Sequence, residues 1–198
     1  MPGGVGDCGV AMLLASALED DPFYAALVAG CGSDVAQRLG RLADYFAASM
    51  SEARLVGRVD AAGDAGAAIW ITDRDRDRLR DAGRAKRARL AECLGERGYA
   101  AYLAMVAGME GLLPPGVPDG AWYLSIMGVD PARQGRGLGT RLLAPALAAA
   151  DAAGAACWLE TFSPRSEPFY ARQGFGTLAE AVEPHTGAVY RVLLRPPS

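Results

Sequence analysis

The chain has no C-x-x-C pair, no surplus of basic residues and no long apolar run, and each gap removes a class of function. Cys8, Cys31, Cys93 and Cys157 are too widely spaced for a zinc knuckle or a thioredoxin-like redox motif, so neither a metal nor dithiol chemistry is expected. Four cysteines could make two disulfides, but no secretory signal is readable, and reduced thiols in the cytoplasm are the expectation. The run Val10 to Leu18 contains Ala15-Ser16-Ala17, which mimics a cleavage site, yet no Lys or Arg precedes it as a signal peptide requires. No apolar stretch nears the ~20 residues of a bilayer-spanning helix, so no membrane partner is expected. A net charge of -3, from 20 Lys and Arg against 23 Asp and Glu, lacks the basic face that nucleic acid binding needs. Apart from Lys86 the basic residues are arginine, which fits a GC-rich coding sequence and carries no mechanistic information.

What is present is the balance of a globular protein, 51% apolar and 22% charged over 198 residues, long enough for one sizeable core and short for two. One α/β domain over residues 1–198 is the expectation. Cys8 to Leu18 reads as a helix stopped before Asp20-Asp21-Pro22, and Val35, Leu39, Leu42, Tyr45 and Phe46 recur at helical spacing through an amphipathic helix ending at Met50. Leu55 to Val59 and Ala67 to Thr72 suggest a hairpin around Asp60 to Asp64. The Asp and Arg alternation from Asp73 to Arg89 is a solvated helix, followed by a second helix to Met109 and a loop from Pro114 to Gly120. Ala121 to Val129 reads as a buried strand, Gly137 to Ala153 as a helix bent by Pro145, and Ala155 to Thr161 as a strand. Pro168 opens a short helix as N1, Gly174 closes it, Phe175 begins another strand, and Val189 to Leu194 is the last. This alternation predicts parallel pairing in the second half.

Between Val129 and the helix lies Asp130-Pro131-Ala132-Arg133-Gln134-Gly135-Arg136-Gly137-Leu138-Gly139-Thr140. Glycines at a strand-to-helix junction let backbone N–H groups approach an anion at a helix N-terminus, and phosphate is the expected guest. The P-loop lysine is missing, and the spacing is G-x-G-x-G where a dinucleotide fingerprint would have G-x-G-x-x-G. Alone, the segment reads equally well as a tight turn into a glycine-capped helix.

The pattern Q-x-x-G-x-G from Gln134 to Gly139 resembles the pyrophosphate loop of the GNAT-type N-acetyltransferases, and Trp158 to Phe175, with Pro168-Phe169-Tyr170-Ala171-Arg172-Gln173-Gly174-Phe175, resembles the distal half of that fold. Both lie in order and at a suitable separation, and the resemblance covers Trp122 to Phe175 well. More loosely, Asp20-Asp21-Pro22-Phe23-Tyr24, Trp70 and Met109-Glu110-Gly111-Leu112-Leu113 look like the subgroup containing puromycin N-acetyltransferase. The resemblance implies a GNAT-like mixed sheet with flanking helices, acetyl-CoA as acyl donor and direct transfer to an amine, here that of a small molecule. It also implies that the strand at Met127, Gly128 and Val129 holds the pantetheine arm and polarises the acetyl carbonyl. Arg133, Gln134, Gly135, Arg136, Gly137, Leu138, Gly139 and Thr140 would hold the pyrophosphate. Ser166 stands where many such proteins carry asparagine, which shortens one contact to the cofactor.

Tyr170 is then the general acid for the departing thiolate, its alternative being packing with Phe169 and Phe175. Glu160 reads as general base or as an acceptor for loop N–H groups. His185 lies in an exposed turn, and Asp20 and Asp21 read as a helix stop or as a lure for a cationic amine. Gly128 would allow a strand bulge or merely accommodate packing. Met1 to Asp7 is too glycine-rich for the first strand usual in this family, so that strand is expected to be short or absent. An acyl-CoA sensor without activity and a nucleotide phosphate-binding protein are the competing readings.

Overall fold

The computed structural model describes residues 6–198. The expectation about a first strand falls mostly on residues 1–5, outside the described residues; the first described element is helix α1 (Asp7–Leu18). It is followed by α2 (Pro22–Val28), α3 (Val35–Val56), β1 (Gly57–Ala61), β2 (Gly66–Ile71), α4 (Arg76–Cys93) and α5 (Gly95–Leu112). The second half contains β3 (Trp122–Val129), α6 (Leu138–Ala152), β4 (Cys157–Thr161), α7 (Glu167–Arg172), β5 (Gly176–Val182) and β6 (Val189–Arg195). These strands form one six-stranded mixed sheet in the order β1-β2-β3-β4-β6-β5, with helices on both faces.

Aspartates open three of the helices by accepting orphan backbone N–H groups: Asp21 from Phe23 at 3.0 Å, Asp34 from Gln37 at 2.9 Å, and Asp75 from Asp77 and Arg78. Helix α3 does not stop at Met50. Ala53 and Val56 carry its buried stripe onward from Phe46 and Met50, so Leu55 and Val56 are helical and the hairpin begins at Gly57. Asp60, expected in the turn, pairs with Ala68 in the ladder.

Parallel pairing is confined to β3 and β4. After α7 the chain runs out to the edge as β5 and returns through a hairpin, so β6 lies antiparallel between β4 and β5, and the parallel pairing expected in this half holds for β3 with β4 and not for β5 or β6. Nor is β3 buried throughout. Along it Leu124 packs into the cluster beneath α6, yet Ile126, two residues on, packs into the cluster beneath α1 and α3. Alternation forbids this in a regular strand. The ladder explains it: Ile69 faces Ile126 and Trp70 faces Leu124, leaving Ser125 as the extra residue of a bulge. The bulge sits at Ser125 and not at Gly128, which pairs with Ala67. A Cβ on Gly128 would come within 2.7 Å of Leu14 Cδ2, so this glycine admits α1 against the sheet.

Arg195 fixes the far end of the fold. Its guanidinium donates to both carboxylate oxygens of Asp151 at the end of α6, each at 2.7 Å, and its Nε to the carbonyl of Gln173 behind α7 at 3.0 Å. That bidentate bond holds the Asp151 carboxyl down to about 2, against an ordinary 3.8. A depressed carboxyl contributes stability that is complete above its unfolded value and lost as pH falls through its folded one. The melting temperature should therefore fall between about pH 4 and 2 by an increment that Arg195→Leu lacks, readable by differential scanning calorimetry.

Candidate active site

Strands β3 and β4 part company early. Their ladder contains Trp122 with Cys157, Tyr123 with Trp158 and Leu124 with Leu159, and stops there, although β3 continues to Val129 and β4 to Thr161. Beyond the parting lies a cavity of about 670 Å³. Ser125 to Val129 form one wall, Glu160 to Ser166 another, and Asp20 to Tyr24, the junction of α1 with the first turn of α2, close it from above. Backbone N–H and C=O groups of β3 on that side have no strand partner, and such groups seek a ligand or water.

The glycine loop leads from this wall into α6. Pro131–Arg133 form a short 3-10 turn started by the Asp130 carboxylate, which accepts from Ala132 N at 2.9 Å. Gln134 lines the cavity and donates through Nε2 to Val129 O at 3.2 Å. Gly135 and Gly137 have φ of 75° and 73°, the left-handed region where a side chain is costly, and Gly137 is the residue that starts α6. It offers no side-chain cap, so the first N–H groups of α6, from Leu138 onward, are open to an anion. Gly139 lets the helix approach the sheet: a Cβ there would meet Met127 Cε and the Phe169 ring at 3.0 Å. Thr140 Oγ1 accepts from Gln173 Nε2 at 3.3 Å, tying this first turn to α7. The loop therefore fits a pyrophosphate. Arg133, expected to contribute to the same loop, has its guanidinium bound to Asp64 at 2.8 and 3.2 Å and to Asp130 at 3.2 Å, which ties the loop to the β1–β2 turn. Arg136 is exposed and makes no ion pair among the described residues.

Tyr170 projects from α7 into the same cavity as Met127, Gly128, Val129, Gln134 and Ser166. Its ring packs edge-on against Phe169 at 5.1 Å and Phe175 at 5.9 Å, as the packing alternative requires. Its hydroxyl has only a 4.0 Å contact with Met127 Sδ. Burial, with the Asp21 carboxylate, holds the phenol well above its usual pKa, so the proton stays on it. Ser166 ends the short turn Pro164–Ser166 and precedes α7, its side chain making no capping bond.

Glu160 accepts from Tyr123 Oη at 2.6 Å and from Tyr190 Oη through its other oxygen, so its partners are two phenols and not the loop N–H groups considered above. Burial pushes its carboxyl up while the two phenolic bonds oppose the rise. Tyr123 is itself fixed by stacking on Trp158 at 4.3 Å. Neither tyrosine was singled out in the sequence; the available signal was an aromatic in each strand beside the glutamate. Asp21 also lines the cavity, and burial lifts its carboxyl to about 6 in spite of the backbone N–H groups of Phe23 and Tyr24. His185 stands apart in the β5–β6 turn, its N–H donating to Glu183 Oε1 at 2.8 Å.

No helix among the described residues is long and apolar enough to cross a membrane, and none of them form a cluster of three or more potential metal ligands. Solved structures share the architecture. A Corynebacterium glutamicum protein described as histone acetyltransferase HPA2 and related acetyltransferase superposes with a TM-score of 0.63 at 21% identity, covering 100% of this chain and 95% of that one. An N-acetyltransferase from Staphylococcus aureus Mu50 gives 0.58 at 14% identity over 95% and 94% of the two chains. At these identities the likeness concerns the fold. The sequence pattern of the acetyltransferase (GNAT) family, however, matches residues 68–175, more than half of the chain and the span from β2 through the glycine loop to the end of α7, so the protein belongs to that family.

Proposed function

We propose that residues 1–198 act as one unit that transfers the acetyl group of acetyl-CoA directly to the amine of a small molecule. The observation that carries this reading is that Gln134, in the loop leading to the open N-terminus of α6, lines a cavity between the parted β3 and β4 into which the Tyr170 phenol projects. Bound acetyl-CoA supplies a thioester carbon that an amine can attack. Backbone N–H groups between Ser125 and Val129 polarise the acetyl oxygen as charge develops on it; losing one such donor costs about 3 kcal/mol. Gln134 and the glycine loop through Thr140 hold the pyrophosphate, and Ser166 gives a shorter polar contact beside it. Tyr170 delivers its proton to the departing sulfur. Glu160, clamped by Tyr123 and Tyr190, supplies a fixed negative charge to the acceptor end.

A small acceptor fits a cavity of about 670 Å³, within the ~300 to 1,000 Å³ usual for small-molecule sites. Asp20, Asp21 and Glu160 against the single cation Arg165 favour a positively charged amine. The segments that look like the puromycin N-acetyltransferase subgroup contribute Asp21, Phe23, Tyr24 and Met109 to this lining. We place the protein in the cytoplasm, where acetyl-CoA is at hand and its four unpaired cysteines stay reduced.

Purified protein should release free thiol from acetyl-CoA with at least one member of a panel of small amines, followed with a thiol reagent. Binding without turnover on any amine would instead make it an acyl-CoA sensor. Thermal protection by ATP and not by CoA would make it a nucleotide-phosphate binder.

A further inference from the structure

Within that acetyltransferase reading, we propose that Asp21 takes the proton from the acceptor ammonium, leaving Glu160 as a fixed charge. The two carboxylates differ in what their oxygens are free to do. Both oxygens of Glu160 are engaged by phenolic hydroxyls, from Tyr123 and Tyr190. Asp21 accepts from the backbone N–H of Phe23 through Oδ1 at 3.0 Å, the N–H of Tyr24 also acts on the carboxylate, and no side chain among the described residues donates to it. It lies at the junction of α1 and α2, in the wall of the cavity that also contains the Tyr170 hydroxyl.

The groups around Asp21 leave it ready to accept a proton. Tyr24 from α2, Tyr45 from α3 and Tyr170 from α7 each have their phenol raised in part by this carboxylate. Exposed Asp20 precedes it, Glu160 and Tyr123 line the cavity from the sheet, and Arg165 is the one cation in that lining. No cation contributes to the shift of Asp21, whose carboxyl sits at about 6 because of burial. A base with that value is mostly ionised at neutral pH, ready to accept a proton, and close enough to neutrality to release it again.

The protons balance. The ammonium loses one proton to Asp21 Oδ2 and becomes a free amine. Its nitrogen attacks the thioester carbon, an N–C bond forms, and the carbonyl π pair moves to oxygen. On collapse the C–S bond breaks, sulfur takes the Tyr170 proton, and the second proton on nitrogen returns to the Tyr170 oxygen. Asp21 then gives its proton to solvent.

The test is the pH dependence of kcat with saturating acetyl-CoA and the amine that the wild type uses best. Wild type should show an acid limb at or below about 6, because protonated Asp21 cannot accept. Asp21→Asn retains the oxygen that caps α2, so it should fold and keep its acetyl-CoA thermal shift. It should lose that limb and turn over roughly tenfold to 10²-fold more slowly at neutral pH. An acceptor already unprotonated at neutral pH should narrow the gap between variant and wild type. Glu160→Gln should be slower but keep the limb where it is. A folded Asp21→Asn with wild-type kcat and an unmoved limb would reduce Asp21 to a helix cap. Should that variant not fold, the wild-type profile decides: a limb at or below about 6 supports the assignment, and a flat profile overturns it. If the wild type releases no thiol with any amine, the acetyltransferase reading itself falls.

Discussion

Gly137→Asp should abolish the rise in melting temperature that acetyl-CoA produces in the wild type. A ligand at about a hundred times its Kd stabilises the folded state by roughly 2.7 kcal/mol, which for a chain of this size is a shift of about 5 to 10 °C. Gly137 has φ 73° and ψ 9°, and a Cβ built there would find only Arg141 Nη1, at 3.7 Å. Aspartate is among the few residues that enter the left-handed region readily, at a cost of about 1 kcal/mol, so the variant should fold with an unliganded melting temperature lower by only a few degrees. Its carboxylate would, however, stand at the uncapped N-terminus of α6, taking the donors that a pyrophosphate needs and repelling its charge. A folded variant that still gains the wild-type shift would mean that CoA binds somewhere other than the glycine loop.

The backbone of that loop was legible because its conformation is local, and local backbone is written in residue type. Positive φ requires glycine at 135 and 137, the stop at Asp20-Asp21-Pro22 follows α1, which ends at Leu18, and the apolar spacing from Val35 marks the course of α3. What stayed hidden depends on pairings between distant segments. Nothing in Trp122 to Val129 says that Ser125 will be bulged, because the bulge exists only against β2; without it the parity of Leu124 and Ile126 cannot be assigned. The order β4-β6-β5 hangs on which strand the last hairpin presents to β4, a choice made by packing across the whole sheet. Likewise the Glu160 clamp joins residues from β3, β4 and β6. Nor does the motif around Arg133 say that its guanidinium will reach a carboxylate 69 positions earlier in the chain.

Tyr170→Phe should keep affinity for acetyl-CoA and lose turnover. The substitution separates the two roles this side chain can have. Phenylalanine preserves the edge-on contacts with Phe169 and Phe175, and the hydroxyl it removes makes only a 4.0 Å contact with the Met127 sulfur. No strong bond is broken, so the melting temperature, alone and with acetyl-CoA, should stay close to that of the wild type. Turnover is another matter. A positioned general acid is worth ~10² to 10⁴ in rate, and the phenol, held in its protonated form by burial, is available to donate at any neutral pH. A thiol with a pKa near ~8.5 leaves partly unassisted, which reduces the loss, so the expected decrease in kcat is at least about tenfold. Because the missing group is a proton donor and not a binding contact, KM for acetyl-CoA should change little while kcat falls. The measurement is steady-state thiol release with the best amine, repeated across the pH range under conditions where chemistry limits the rate. A Tyr170→Phe protein as fast as wild type throughout that range would show that the ring packs α7 onto the sheet and that the sulfur receives its proton from elsewhere.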